Sequence, residues 1–238
     1  MKVLVTGGSG ALGSEIAKLI PGALVPTHSE LDLTSDVAVA SYLSKNRPEV
    51  IIHCAALTDV RVCENERERA WSNNVTATEN LVTWCEGLTE SVYFVHISTA
   101  CVFRGDKGNY TEEDLPYPDN FYSLTKLLSE FVVRRLSRHL VVRTNFVPRK
   151  RWKYRRAFTD RYGTYLFADD AARAILEVAS QNITGTLHIA GDRKLSMFDL
   201  ARITTPDVEP MTMKDVDLPV PRDMSLISKR THLFKLTF

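Results

Sequence analysis

The chain has no apolar run long enough to cross a bilayer, and its N-terminus lacks the charged, apolar and small-residue succession of a secretory signal. A spanning segment and an export leader are therefore not expected, and since the first strand begins at Lys2, nothing is expected ahead of the fold. Charge of one sign is also missing. Thirty Lys and Arg against 29 Asp and Glu leave a net charge of +1, which argues against a whole-protein bias towards nucleic acid or a membrane surface. Cysteine is scarce: Cys54, Cys63, Cys85 and Cys101 have neither zinc-type spacing nor the density of a disulfide framework, so reduced thiols in the cytoplasm are expected. The six histidines are scattered, with no pair at metal-ligand spacing, and no metal is expected. There is no internal repeat and no low-complexity block.

What is present begins at the first residues. Val3 to Thr6 is a β-branched run that reads as a buried strand, and Leu12, Ile16 and Ile20 give the following segment a helical period. Between them lie Gly7, Gly10 and Gly13. Gly7 allows a tight turn, Gly10 lets backbone approach a pyrophosphate, and Gly13 lets the helix pack close to the strand. The helix N-terminus, with Ala11 and Leu12, offers unpaired N–H groups to phosphate. In this strand–turn–helix context the spacing indicates a dinucleotide site.

At 238 residues and 44% hydrophobic, the chain suits one large α/β domain with a sizeable core, with or without a small appendage. Strands are predicted at 2–6, 23–27, 49–55, 91–98, 139–145 and 185–190, and helices at 11–20, 35–45, 64–87, 120–137, 169–181 and 196–204. Such alternation predicts a doubly wound parallel sheet covered on both faces. Residues 205–224, rich in Pro, Asp and Met, read as an irregular connection. His53, His96 and His188 fall in apolar strands and read as core residues; Cys54 and Cys101 read as small buried hydrophobes. Asp170 reads as the cap of the helix that follows it.

Tyr122 and Lys126 stand four apart in a helical segment, so phenol and ammonium share a face. The charge is expected to lower the Tyr122 pKa and suit it to proton exchange with a carbonyl or alcohol. Thr99 ends a predicted strand, where a hydroxyl faces the crevice of an open α/β sheet.

The runs Thr6-Gly7-Gly8-Ser9-Gly10-Ala11-Leu12-Gly13, Leu31-Asp32-Leu33-Thr34, Cys54-Ala55-Ala56-Leu57-Thr58, Asn74-Val75-Thr76, Ser98-Thr99-Ala100-Cys101-Val102-Phe103 and Tyr122-Ser123-Leu124-Thr125-Lys126 together carry a resemblance. The chain resembles the extended short-chain dehydrogenase/reductases and, more narrowly, the dTDP-4-dehydrorhamnose reductase family, from Met1 to about Lys229. The resemblance implies a Rossmann-type sheet over residues 1–148 and a reduced substrate-binding portion over 149–238, interleaved with the last sheet elements. It implies NADPH or NADH as cofactor and a 4-keto nucleotide sugar as substrate. Thr99, Tyr122 and Lys126 then form the catalytic set: Tyr122 protonates the carbonyl, Lys126 binds the nicotinamide ribose, and Thr99 hydrogen-bonds the carbonyl oxygen. Asp32 and Leu33 match the pair that contacts adenine, Ala55 and Ala56 line the crevice, and Asn74 is structural. A homodimer is among the assemblies left open; nucleic acid and membrane are not expected partners.

Three departures stand out. Ala100-Cys101 replaces the family's Asp-Tyr. Thr27-His28-Ser29, at the end of the second predicted strand, brings neither a carboxylate for a ribose 2′-hydroxyl nor an Arg for a 2′-phosphate, so NADH and NADPH are not distinguished. The stretch from Arg143 to Tyr165 is short and basic. Within it, Arg149, Arg151, Arg155 and Arg156 are candidates to clamp the substrate diphosphate, with Trp152 and Tyr154 interleaved. A solvated charged loop and a nucleic-acid patch are the competing readings, the latter disfavoured by the neutral net charge. An epimerase using the same Tyr–Lys chemistry and a non-catalytic NAD(P)-binding regulatory subunit remain as alternative functions.

Overall fold

A computed structural model describes residues 1–237 of the chain. The strands, in chain order, are β1 (Val3–Thr6), β2 (Val50–His53), β3 (Tyr93–Thr99), β4 (His139–Thr144), β5 (Phe146–Val147), β6 (Arg156–Phe158), β7 (Tyr162–Gly163), β8 (Leu166–Phe167), β9 (Gly185–Ile189), β10 (Leu195–Ser196) and β11 (Glu209–Met211). The helices are α1 (Ala11–Leu19), α2 (Asp36–Asn46), α3 (Val60–Asn65), α4 (Arg67–Trp71), α5 (Ala77–Glu86), α6 (Phe121–Val133), α7 (Ala168–Ser180) and α8 (Met197–Thr204).

Five strands form a parallel sheet in the order β1-β2-β3-β4-β9. Side chains alternate between its faces, and both faces are covered, which is why the strands are buried and mostly apolar. Val3, Val5, Ile52, Val95, Val142 and Leu187 pack under α1 and α7 through Leu12, Ile16, Ile175 and Val178. On the other face Leu4, Ile51, Phe94 and Val141 meet Val39 and Leu43 of α2, Leu81 and Val82 of α5, and Val133 of α6. A third apolar cluster, with Phe103, Tyr110, Tyr165, Phe167, Leu200, Met224 and Leu226, starts where β3 ends and unites the C-terminal elements. Residues beyond 148 therefore return to the sheet through α7 and β9 before completing this second core.

Three expectations are revised. The strand expected at 23–27 shrinks to a single bridge, Leu24 against Leu4 on the free edge of β1, with Val5 N donating to Leu24 O at 2.9 Å. Pro26, two residues on, has no N–H with which to extend the ladder. The helix expected at 64–87 is instead α3, α4, a wide π-type turn over Ser72–Thr76, and α5. Asp59 starts it early by accepting a bond from Val62 N at 3.1 Å, and the backbone breaks at Glu66. The π-turn directs Asn74 inward, consistent with the functional or structural marking such turns commonly carry. The connection 205–224 is not wholly irregular, because β11 pairs in parallel with β6 of the basic segment.

Candidate active site

The site lies along the carboxyl ends of β1 to β4, beside the point where the chain switches from the Leu24 edge to β2, the place where open α/β sheets bind ligands. Gly7 has φ +69°, and a Cβ there would stand 2.6 Å from Ala55 N; one on Gly13 would stand 2.3 Å from Gly7 O. Neither position admits a side chain. Gly10 meets only Gly7 O, at 3.2 Å, and otherwise opens into a cavity of about 440 Å³ with Ser9, Ala11 and Ser14. Gly10 is also the N-cap of α1, so no side chain takes up the first N–H groups, and no acid sits in the first turn. A pyrophosphate fits this cradle by shape and by charge. Ala55 and Ala56 follow β2 directly and are half-buried against the turn. Asp32 spends one oxygen on Thr34, accepting from its N at 2.9 Å and its Oγ1 at 2.7 Å, while Leu33 packs at the margin of the core.

Across the crevice, Asn120 caps α6 by accepting from Ser123 N at 2.8 Å and ties to the C-terminal region by donating to Pro219 O at 2.8 Å. This fixes the first turn, which carries Tyr122; Lys126 lies one turn on. Thr99 closes β3, and its Oγ1 accepts from Cys101 N at 3.1 Å. Tyr122 and Thr99 are within hydrogen-bonding reach. The expected lowering of the Tyr122 pKa is not what the structure produces. Burial, followed by the neighbouring Cys101, pushes the phenol above its ordinary value, and the Thr99 bond offsets this only in part. Lys126 Nζ is buried 3.3 Å from His96 Nε2, and desolvation lowers its pKa to about 8 despite Glu130. At neutral pH Tyr122 keeps its proton.

A family model described as the RmlD substrate binding domain matches residues 1–225. The chain belongs to the RmlD substrate binding domain family. It is 30% identical to a dTDP-4-dehydrorhamnose reductase of Aggregatibacter actinomycetemcomitans over 84% of this chain and 76% of that protein. A dTDP-4-dehydrorhamnose reductase structure from Clostridium acetobutylicum superposes with a TM-score of 0.85 at 30% identity, covering 95% of this chain and 90% of that one. A Bacillus anthracis dTDP-4-dehydrorhamnose reductase, solved in complex with NADP, gives 0.84 at 25% identity with the same coverage. The doubly wound Rossmann-type fold expected from the sequence is thus that of the RmlD family.

Beneath the crevice, this RmlD-family chain carries a buried polar layer that the sequence reading treated as core. His96 Nε2 is 2.9 Å from Ser129 Oγ; His53 is 2.7 Å from Thr6 Oγ1 and 3.1 Å from Thr78 Oγ1. Burial, with Lys126 beside them, keeps both imidazoles neutral, His53 down to about 3. Glu130 accepts two bonds from Arg143, at 3.0 and 2.8 Å, and one from Ser98 Oγ at 2.6 Å, all out of water. Asn74 Oδ1 accepts from Leu57 N at 2.7 Å while Nδ2 donates to Leu57 O and Thr125 Oγ1, joining the loop after β2 to α6 in the structural role expected of it. Desolvation pushes the Cys54 thiol up to about 12, which disfavours the thiolate.

Arg149, Arg151 and Arg155 of the basic segment form separate ion pairs. Arg149, with Lys150, lines the glycine-turn cavity. Its guanidinium is held by Asp169 at 3.1 Å and Asp170 at 2.8 Å, and donates to Thr237 O at 2.8 Å. Arg151 pairs with Asp207 at 2.6 Å and Arg155 with Glu209 at 2.8 Å, both at the surface, and Arg156 is exposed on β6. Carboxylates supplied by α7 and the 205–211 stretch, invisible to a local reading, divide the segment. Asp170 likewise does not cap α7; buried, it ties Arg149, Arg173 and Thr237 together. Sequence reasoning missed Lys150, which lines the glycine-turn cavity and for which a basic residue after the turn of β5 is the only signal.

Proposed function

We propose that this chain is an NAD(P)H-dependent reductase acting on a 4-keto nucleotide sugar, with Thr99, Tyr122 and Lys126 as its catalytic residues. The observation that carries the reading is Tyr122, on the first turn of α6, beside Thr99 at the end of β3, together with the glycine cradle at the end of β1. The bound nicotinamide supplies hydride. Tyr122 gives its proton to the carbonyl oxygen as charge develops there, and Thr99 holds that oxygen by a hydrogen bond. Lys126 holds the ribose hydroxyls and, as a cation, eases proton loss from Tyr122. Gly7, Gly10, Ala11, Leu12 and Gly13 receive the pyrophosphate, Arg149 and Lys150 flank it, and Asp32, Leu33, Ala55 and Ala56 border the adenosine half.

Residues 1–148 act as the dinucleotide unit and 149–238 as the substrate portion, with α7 and β9 returned to the sheet. A complete Thr–Tyr–Lys set favours catalysis over a regulatory subunit, and reductases at 25–30% identity favour reduction over epimerisation. Four unpaired thiols suit a cytoplasmic protein, and no described helix is long and apolar enough to cross a membrane. The test is a screen of 4-keto sugar nucleotides with the purified chain, following loss of nicotinamide absorbance. Turnover of at least one supports the reading; cofactor binding without any turnover favours a regulatory subunit.

A further inference from the structure

Lys126 is out of water, and among the described residues its Nζ has one hydrogen-bond partner, Nε2 of His96 at 3.3 Å. His96 stands on β3 and, like Ser98, uses the face of that strand that meets α6. Its ring is fully buried, and Nδ1 has no partner among the described residues. Nε2 is also 2.9 Å from Ser129 Oγ, which donates to Lys126 O at 2.8 Å. A neutral imidazole has a single N–H. With that hydrogen on Nε2, the ring donates to Ser129 and turns a donor towards the ammonium. With it on Nδ1, Nε2 offers its lone pair to Lys126. A charged donor forms the stronger bond, so the cation favours the second tautomer and the neutral amine releases Nε2 to Ser129. The ring itself does not take up a second proton, because burial, then Lys126, then His53 all oppose it. Few other groups bear on the lysine. They are Glu130 on its own helix, Cys54 after β2 and the neutral His53 on β2, while Arg143 on β4 is engaged with Glu130. Among the described residues, α3, α4 and α5 add no charge that acts on it.

We infer that His96 is a positioning residue for the proposed reduction: its Nε2 accepts a hydrogen bond from the Lys126 ammonium, fixes that nitrogen in place and favours the cation over the neutral amine. The other N–H groups of the ammonium stay available to ribose hydroxyls. Desolvation already brings Lys126 down to about 8, so the acceptor decides whether the charge survives the neutral range. The inference rests on the reading of Lys126 as the residue that holds the nicotinamide ribose, and goes beyond it by naming what holds Lys126.

The test measures dinucleotide binding against pH, without sugar. The purified chain is titrated by fluorescence with NADPH and, in parallel, with NADH between about pH 6 and 9.5. His96→Leu removes the acceptor; His96→Gln places an amide oxygen where Nε2 was. Melting curves check that each variant is folded. In the unaltered chain the dissociation constant is expected to rise as pH passes about 8. His96→Leu is expected to move that rise down by about one to two pH units, the ten- to hundredfold effect of a lost hydrogen bond to a charged group. His96→Gln is expected to return it close to its original place. If His96→Leu does not fold, His96→Asn replaces it: the shorter amide reaches only the position of Nδ1, and the same downward move is expected. An unmoved rise in the variant lacking the acceptor, no return in a folded His96→Gln, or no rise in the unaltered chain overturns the inference and leaves the dinucleotide site standing. Binding of neither nucleotide overturns the site and the inference with it.

Discussion

At the scale of single residues, burial decides the protonation of the reacting groups. Tyr122 was expected to be made acidic by its neighbour one turn away, yet its surroundings are dry enough that the neutral phenol wins. This suits a donor in the reductive direction. Tyr122→Phe keeps the ring and removes the proton; turnover is expected to fall by roughly 10²–10⁴ while the nicotinamide dissociation constant stays level, as steady-state kinetics and fluorescence titration will show. Lys126 supplies the pH dependence. Desolvation brings its pKa to about 8, so it is a cation below that pH and neutral above it. If the charge serves the reaction, kcat/KM falls as pH rises through about 8, well below the ordinary lysine range. Lys126→Arg, which stays charged, is expected to lower the rate but remove that alkaline limb from the pH profile.

At the scale of elements, the crevice is held in place by pairs that cross between neighbouring pieces. Glu130 on α6 and Arg143 on β4 form a two-bonded ion pair with almost no exposure, and Ser98 on β3 completes it. Removing Glu130 strands the buried Arg143, and removing Arg143 leaves the buried Glu130 only the longer 3.4 Å contact from the part-exposed Arg134. Arg143→Ala or Glu130→Ala is expected to destabilise by about 3–5 kcal/mol in urea unfolding, and the double replacement by less than the sum. The glycine turn makes a second comparison between elements. At Gly10 a side chain meets open cavity, so Gly10→Val is expected to abolish dinucleotide binding with little change in melting temperature. At Gly13 the same change drives a Cβ into Gly7 O, so Gly13→Val is expected to lower the melting temperature sharply. A scanning-fluorimetry experiment on both variants separates the binding role from the packing role.

At the scale of the whole molecule, the C-terminal third works in two places. Through α7 and β9 it completes the sheet, and through Arg149 it reaches the glycine turn while anchoring Thr237 near the chain's end. Arg149→Gln is expected to weaken nicotinamide dinucleotide binding and, by freeing the buried Asp170 of a partner, to lower stability. Neutralising Arg151 and Arg155 together is expected to change neither by much, because their ion pairs are solvent-exposed and such pairs contribute about 0–1 kcal/mol. Isothermal calorimetry with the cofactor, paired with melting curves, distinguishes the two parts of the segment.

Local pattern was enough to determine the order of the five paired sheet strands and, to within a few residues, of most covering helices, though not the broken helix over 60–86 or the Leu24 bridge, because strand and helix periods are written in residues a few positions apart. It was also enough for the glycine turn, whose steric demands are local, and for the pairing of Tyr122 with Lys126 on one helix face. The remaining features depend on residues distant in the chain. Asn74 is turned inward by Leu57 and Thr125, Arg149 is drawn to the glycine turn by Asp169 and Asp170, and the direction of the Tyr122 pKa follows from what several elements together exclude. The strength and direction of a side chain's interactions are set by where the folded backbone leaves it, and that is decided by elements far apart in the chain.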